Sequence, residues 1–421
     1  MQLSLLTDRS LIRASARSTR YLMVSITAPV APARATRTPV SVGFVLDRSG
    51  SMDGAHKFEL ARSAVEQALR LLRPEDRFTL VIYDEEVETL VPATLATAEA
   101  RRLAMQKLAR VGPRGSTDLH SGWATGAHEL AAKLSRDAVN RVLLLTDGLA
   151  NHGITDAAQL STFAAELRAS GIATTTFGVG EDFDEQLLRD ISHEGGGQFY
   201  FIETPPQIAD FLTSELGEAL EIVRRDAVLR ISLPAGAEVR PLNRYRHDAP
   251  VAGELRVHLG DLASGQELKV VLRVRFARGE EGEQQGVGVA IEGDDALLVE
   301  GARDVTWRYA GHAENDAQPR TRVVDREVAT LYVARARAEA TEANRHHDFD
   351  HARRVIEETA TRIEQYAGSD RELRRIARKL RDEIVVYAEA PMSAMSLKAS
   401  FFVAESAVKN RTSSGRSRRA T

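Results

Sequence analysis

Cysteine is absent from all 421 residues, which excludes disulfide staples, thiolate metal sites and cysteine nucleophiles together. Apolar cores must therefore hold the molecule together. With 43% hydrophobic and 28% charged residues, the length accommodates two or three domains, each large enough for its own core. No excess of either charge exists: 56 Lys plus Arg face 60 Asp plus Glu, a net charge of -4. That balance argues against nucleic acid as a partner. A run of about 18 apolar residues is also lacking, so no membrane span is expected. The first twenty residues hold only the short patches Leu3–Leu6 and Leu11-Ile12, broken by arginines, with no signal-peptide core or small-residue cleavage site. The expectation is a soluble, cytoplasmic protein with no membrane attachment.

Between Pro39 and about Glu215, short apolar runs alternate with helical patterns, the mark of βαβ units on a parallel sheet. Val42–Leu46 is a continuous apolar run, as a strand covered on both faces requires. Phe58, Ala61, Ala64, Val65, Ala68, Leu69 and Leu72 then form one helical stripe, ended by Pro74. Strands are expected at Phe78–Tyr83, Arg141–Thr146, Ile172–Val179 and Gln198–Ile202. Helices are expected at 97–109, 119–134, 156–169, 185–191 and 207–220.

From Ala227 to Tyr309 the period becomes two, with Leu229, Ile231 and Leu233 and then Val270, Leu272 and Val274 alternating with polar residues. Turn signals at 234–236, 262–265 and 279–282 complete the pattern of an antiparallel β-domain. Tyr21–Thr27 alternates likewise and runs into a proline-rich linker, Pro29–Pro39. This strand is expected to join the later β-domain, making the α/β unit an insertion. Beyond Asn315 the pattern is helical, with Leu373, Ile376, Ala377, Leu380 and Ile384 on one stripe and Gly368–Asp370 as a turn. The division predicted is 1–37 (N-terminal segment and strand), 38–220 (α/β domain), 221–312 (β-domain), 313–395 (helices) and 396–421 (a disordered basic tail).

Three loops carry the chemistry. Asp47-Arg48-Ser49-Gly50-Ser51 follows the first strand of the α/β domain, placing a carboxylate and two hydroxyls at alternate positions on the carboxyl edge of the sheet. Gly115-Ser116-Thr117-Asp118 precedes a helix, and Thr146-Asp147-Gly148 follows another strand. Asp, Ser and Thr are common in turns and helix caps for their own reasons, so any one loop is weak evidence. Three loops converging on one sheet edge, all with oxygen donors, suit Mg²⁺, Mn²⁺ or Ca²⁺.

These motifs resemble the von Willebrand factor type A (VWA) domain, whose metal-ion-dependent adhesion site is built from an Asp-x-Ser-x-Ser loop, a Thr loop and an Asp-Gly loop. The resemblance covers roughly residues 38 to 215. It implies a doubly wound, Rossmann-like domain, inserted in or flanked by an antiparallel β-sandwich, of the kind found in bacterial soluble proteins. It also implies that Asp47, Ser49, Ser51, Thr117 and Asp147 hold the metal, directly or through water. The chain has Gly-Ser-Thr where family members commonly have Gly-Gly-Thr, which leaves the ligand threonine in place. The implied function is metal-dependent protein binding as an adaptor or scaffold, with a partner's acidic residue completing the coordination. Asp118 is expected to cap its helix instead of touching metal.

Two other readings stand beside it. A Mg²⁺-dependent phosphoester hydrolase with an aspartyl nucleophile also places an Asp after the first strand. That class wants a second carboxylate two residues on, where this chain has Ser49, and no paired base is evident for His56 or Lys57, so no enzyme activity is expected. Family analogy alone suggests an accessory role to a MoxR-type AAA+ ATPase. Elsewhere, His346, His347, Asp348, Asp350 and His351 invite a metal reading, but Asp348-Phe349-Asp350 reads as a turn and N-cap. Trp123 and Phe199–Phe201 read as core.

Overall fold

The computed structural model describes residues 1–31, 38–135, 137–293 and 300–419. The chain forms two compact units, Pro32–Ile222 and the combination of Met1–Ala31 with Val223–Thr421. Residues 32–37 of the expected linker lie outside the described residues. Three strands come first: β1 (Gln2–Thr7), β2 (Leu11–Arg13) and β3 (Ser18–Thr27).

The α/β unit begins with β4 (Val40–Asp47), α1 (Lys57–Leu71), β5 (Arg77–Tyr83), β6 (Val87–Leu95) and α2 (Ala98–Leu108). It continues with α3 (Leu119–Ala131), β7 (Val139–Thr146), α4 (Ala157–Ala169), β8 (Ala173–Val179), α5 (Glu185–Glu194), β9 (Gly196–Ile202) and α6 (Gln207–Leu220). The strands lie in the order β6-β5-β4-β7-β8-β9, parallel except for β6. Every residue of β4 and β7 is buried, because helices cover both faces of the sheet. Asp and Thr residues start the helices by accepting backbone N–H bonds: Thr97 for α2, Asp118 for α3, Asp156 for α4 and Asp184 for α5. The sequence reading has no counterpart of β6. That strand pairs antiparallel with β5 at the edge of the sheet, where Pro92 is tolerated because an edge strand has a side with no ladder bonds to make.

Helix α3 lies unusually close to the sheet. A Cβ on Gly122 would fall 2.4 Å from the Tyr83 ring, and one on Gly126 would fall 2.3 Å from a Val45 methyl. Two hydrogens in place of side chains thus set the height of the helix above β4 and β5.

The other unit resumes with β10 (Ile222–Ser232), β11 (Glu238–Pro241), β12 (Arg246–Asp248), β13 (Glu254–Ala263), β14 (Glu267–Phe276), β15 (Gln284–Glu292) and β16 (Glu300–Ala310). Helices follow: α7 (His312–Ala317), α8 (Arg322–Arg345), α9 (Phe349–Ala367), α10 (Arg371–Asp382), α11 (Ile384–Ala388) and α12 (Ala394–Val408). One sheet runs β1-β3-β14-β11, the other β12-β13-β10-β15-β16-β2. Strand β3 pairs antiparallel with β14, from Ser18 opposite Phe276 to Thr27 opposite Glu267, so the α/β unit is inserted between strands of one sandwich. The inward faces share a core in which Leu22, Val24 and Ile26 of β3 meet Leu229, Val257, Val289 and Trp307 of the opposite sheet. On the outward face of β3 and β14, Met23 and Val271 pack against Val324, Val328 and Leu331 of α8. Alternation of period two thus serves two cores at once.

The disordered tail expected over 396–421 is corrected. Residues 394–408 form α12, with Phe401, Phe402 and Val408 buried. Asn410 then brackets Lys269, its Oδ1 accepting from the Lys269 amide at 3.2 Å and its Nδ2 donating to the carbonyl at 2.6 Å. Further on, the Glu267 amide donates to the Arg418 carbonyl at 2.9 Å. A short polar segment needs no apolar pattern when β14 offers it backbone partners. Residues 420–421 lie outside the described residues. In the histidine cluster, Asp348 caps α9 by accepting from the His351 amide at 3.0 Å, while His346 and His351 pair with Glu342 and Glu339. Trp123 is fully buried and donates to Thr174 Oγ1 at 3.2 Å, and Phe199–Phe201 are buried as well.

Candidate metal centre

In the order β6-β5-β4-β7-β8-β9 the chain moves one way from β4 and the other way from β7. The crevice beyond their carboxyl ends is the topological switch point, where open α/β sheets bind ligands. Asp47 is the last residue of β4 and Asp147 follows the last residue of β7. Parallel pairing of these neighbouring strands therefore brings the two carboxylates together.

Backbone bonds tie the loops. Gly50 N donates to Gly115 O at 3.0 Å and Arg114 N to Arg48 O at 2.7 Å, joining the first loop to the threonine loop. Thr117 N donates to Asn151 Oδ1 at 3.0 Å, and the amides of Asn151 and His152 donate back to Thr117 O. That closes the threonine loop onto the segment after β7. Gly115 adopts a left-handed φ of 71°, and a Cβ there would overlap the Glu85 carboxylate, which accepts from the Ser116 amide at 2.5 Å. This bond lowers the Glu85 pKa from its ordinary value. Glycine is required at 115 on both counts.

Within this frame Ser49 Oγ lies 3.1 Å from Ser51 Oγ, and Ser51 Oγ donates to Asp147 Oδ1 at 2.6 Å. A Cβ on Gly148 would be 3.5 Å from Thr117 Oγ1 and 3.6 Å from Ser51 Oγ, so both hydroxyls border the space beside Gly148. All five residues named from the sequence thus gather in one cluster. Asp118 points away, its carboxylate accepting from the amide and hydroxyl of Ser121 at the start of α3.

The donors fit a hard divalent cation. Adjacent ligands of an octahedral Mg²⁺ lie about 3.0 Å apart when its bonds are about 2.1 Å, near the 3.1 and 2.6 Å spacings here. Among the described residues no cluster of three or more His, Asp or Glu could hold a metal. Asp47 is fully buried, with Oδ1 accepting from the Ser49 amide at 2.7 Å and Oδ2 from Thr146 Oγ1 at 2.6 Å. Burial pushes its pKa up to about 6, and the negative charge of Asp147 adds to the rise.

The roles of four participants escape sequence reading. Lys57, at the start of α1, places Nζ 2.5 Å from Asp147 Oδ2, with 14% of its side chain exposed. It arrives there because Ala55 and His56 adopt left-handed φ of 53° and 57° just before the helix. Thr146 and Asn151 orient Asp47 and Thr117, as described. Asp84 is buried beside the first and second loops and accepts from Arg114 Nε at 2.7 Å. Its Oδ2 also lies 2.9 Å from Arg48 Nε, an ion pair without hydrogen-bond alignment.

Fold and site together define a doubly wound α/β domain with an oxygen-rich loop cluster at its switch point. Residues 41–214 match the family model of the von Willebrand factor type A domain, and the α/β unit belongs to that family, whose domains typically mediate protein–protein interactions. The chain is 26% identical over 280 residues to the uncharacterized protein sll0103 of Synechocystis sp., covering 64% of this chain and 65% of that one. It is 26% identical over 241 residues to the uncharacterized protein YfbK of Escherichia coli, covering 55% and 41%. The chain spans less than two thirds of the length of either relative. Among solved structures, a von Willebrand factor type A protein from Catenulispora acidiphila shares the fold with a TM-score of 0.73 at 18% identity, over 99% of this chain and 97% of that one. Among the described residues no helix is long and apolar enough to cross a membrane.

Proposed function

We propose that this chain is a non-enzymatic adaptor or scaffold that holds a protein partner through a divalent cation, Mg²⁺ or else Mn²⁺ or Ca²⁺, at Asp47, Ser49, Ser51, Thr117 and Asp147. The observation that supports this reading is the convergence of three oxygen-bearing loops on one switch point, with two buried carboxylates at its base. When bound, the cation supplies a Lewis-acidic position that an acidic side chain of a partner can occupy. The chain's own residues do the rest. Asp47 and Asp147 supply the negative charge, and the three hydroxyls add donors without adding charge. The partner's carboxylate is then not repelled by a site already neutralised.

Phosphoester hydrolysis has less support. Both oxygens of Asp47 already accept hydrogen bonds, and the position two residues on is Ser49. Exposed His56 pairs with Glu59 at 2.6 Å. The reading is tested by titrating Mg²⁺ and Mn²⁺ into the full chain and into Asp47→Ala while following thermal stability and heat of binding. Cation binding to the folded state raises the wild-type Tm by linkage. Capture of a partner should require the cation and fail in Asp47→Ala. Equal responses of the two proteins to cation would refute the site, and a phosphatase activity lost in Asp47→Ala would favour the enzyme reading.

A further inference from the structure

The unit formed by residues 1–31 and 223–421 contains a cavity of about 200 Å³ between the N-terminal strands and helices α8 and α9. Asp8, Arg9, Tyr21, Arg320, Tyr332 and Tyr366 line it, with Arg362 and a few small or apolar side chains. We propose that this cavity binds a small organic oxyanion, a carboxylate or phosphate group carried on a short apolar body.

The charges point that way. Of the three arginines, Arg320 is committed: it forms a bidentate pair with Asp325 at 2.8 and 2.6 Å and lies 5.0 Å over the Tyr366 ring. Arg9 has only a loose partner, its Nε 3.5 Å from Asp8 Oδ2 and without a hydrogen bond. Exposed Arg362 forms no ion pair or hydrogen bond among the described residues. One carboxylate thus faces two under-used guanidiniums, whose planar forks match an oxyanion.

The hydroxyls agree. Tyr21 and Tyr332 meet oxygen to oxygen at 3.0 Å, so one O–H donates within the pair and the other is left to donate elsewhere. Tyr366 Oη is buried without a hydrogen-bond partner among the described residues, a costly arrangement that an acceptor oxygen would relieve. Burial raises the pKa of Tyr21 and Tyr366 above the usual phenol value, so both remain donors at neutral pH. Val328 and Ile363 supply an apolar wall. The volume exceeds the roughly 150 Å³ that suffices for a benzene ring, leaving room for its acidic group.

Phenyl phosphate and benzoate are the probes, with benzyl alcohol as the neutral control, added to the full chain at fixed ionic strength and read by calorimetry and thermal shift. At least one anion is expected to bind with Kd below about 1 mM and to raise the Tm, while benzyl alcohol binds at least tenfold more weakly. Arg362→Ala, an exposed change compatible with folding, should weaken the anion about tenfold, with partial recovery in Arg362→Lys. Tyr366→Phe should weaken it severalfold, and Asp47→Ala should leave it unchanged. Failure of both anions, equal binding of the neutral control, or wild-type affinity in Arg362→Ala or Tyr366→Phe would overturn the proposal.

Discussion

Lys57 Nζ lies 2.5 Å from Asp147 Oδ2, so a tethered ammonium already rests on one of the two carboxylates of the candidate metal centre. Asp147 is fully buried, and its charge is compensated from within the chain. A divalent cation sharing Asp147 must therefore work against a resident positive charge.

Lys57→Met removes that competitor while keeping most of the side chain's length. The affinity for Mn²⁺ measured by calorimetry is expected to rise about tenfold, equivalent to roughly 1.4 kcal/mol. In the cation-free protein the same change leaves a buried carboxylate unpaired and should cost about 3 kcal/mol of stability, much of it restored by saturating Mn²⁺. Weaker Mn²⁺ binding in the variant would show that Lys57 supports the site.

Asp47 has a folded-state pKa raised to about 6, chiefly by burial. Its protonated form is favoured by folding, so its contribution to stability is fully present below the unfolded value near 4 and is lost as pH rises through about 6. The full difference corresponds to about 3 kcal/mol. Without divalent cation, the wild type should lose this much relative to Asp47→Asn between about pH 4 and 7, measured as urea midpoints. Because the cation requires the ionised form, Mg²⁺ affinity should fall as pH drops below about 6. A pH-independent affinity between pH 5 and 7 would contradict the placement of Asp47 in the site.

Gly122→Ala puts a Cβ 2.4 Å from the Tyr83 ring, and the helix carrying it follows directly on the threonine loop. The clash should cost about 1–3 kcal/mol and weaken cation binding by moving Thr117. Gly217 in α6 is the contrast, since a Cβ there meets nothing within 4 Å. Gly217→Ala should stabilise by up to about 1 kcal/mol through helix propensity alone and leave cation affinity unchanged. Thermal melts with and without Mn²⁺ separate the two cases.

Glu215 is buried on α6, where it accepts from Arg141 at 2.5 Å, Thr175 at 2.8 Å and Tyr200 at 2.7 Å. Glu215→Ala removes the carboxylate that a buried guanidinium and two hydroxyls share and should cost about 3–5 kcal/mol. Glu215→Gln keeps an acceptor of the same shape and should cost less. Equal losses in chemical denaturation would mean that charge, not geometry, governs this network.

Much of this molecule is readable in one dimension. The run Val42–Leu46 and the stripe from Phe58 to Leu72 specify strand and helix because burial on two faces or one leaves a visible period. The five candidate ligands are named from the sequence because each sits in a loop beside a predicted strand end or helix start. Strand β6 escapes because Pro92 and exposed positions break its alternation, and only the free edge of β5 makes it a strand. Segment 396–421 misleads because it mixes an apolar helix with a polar end whose partners, such as Lys269, lie far away in sequence. Lys57 escapes because nothing local sets an ammonium beside a carboxylate ninety residues further on.

The sequence by itself therefore determined the periods, the caps and the chemical type of the site: oxygen donors only, with no sulfur anywhere in the chain. These are properties of neighbouring residues, and local backbone physics expresses them directly. Tertiary structure alone decided that β3 lies against β14, that Lys57 rests on Asp147 and that Arg9 and Arg362 share a cavity with three tyrosines. Such pairings join residues tens to hundreds of positions apart, and only the packing of a common core sets their distances.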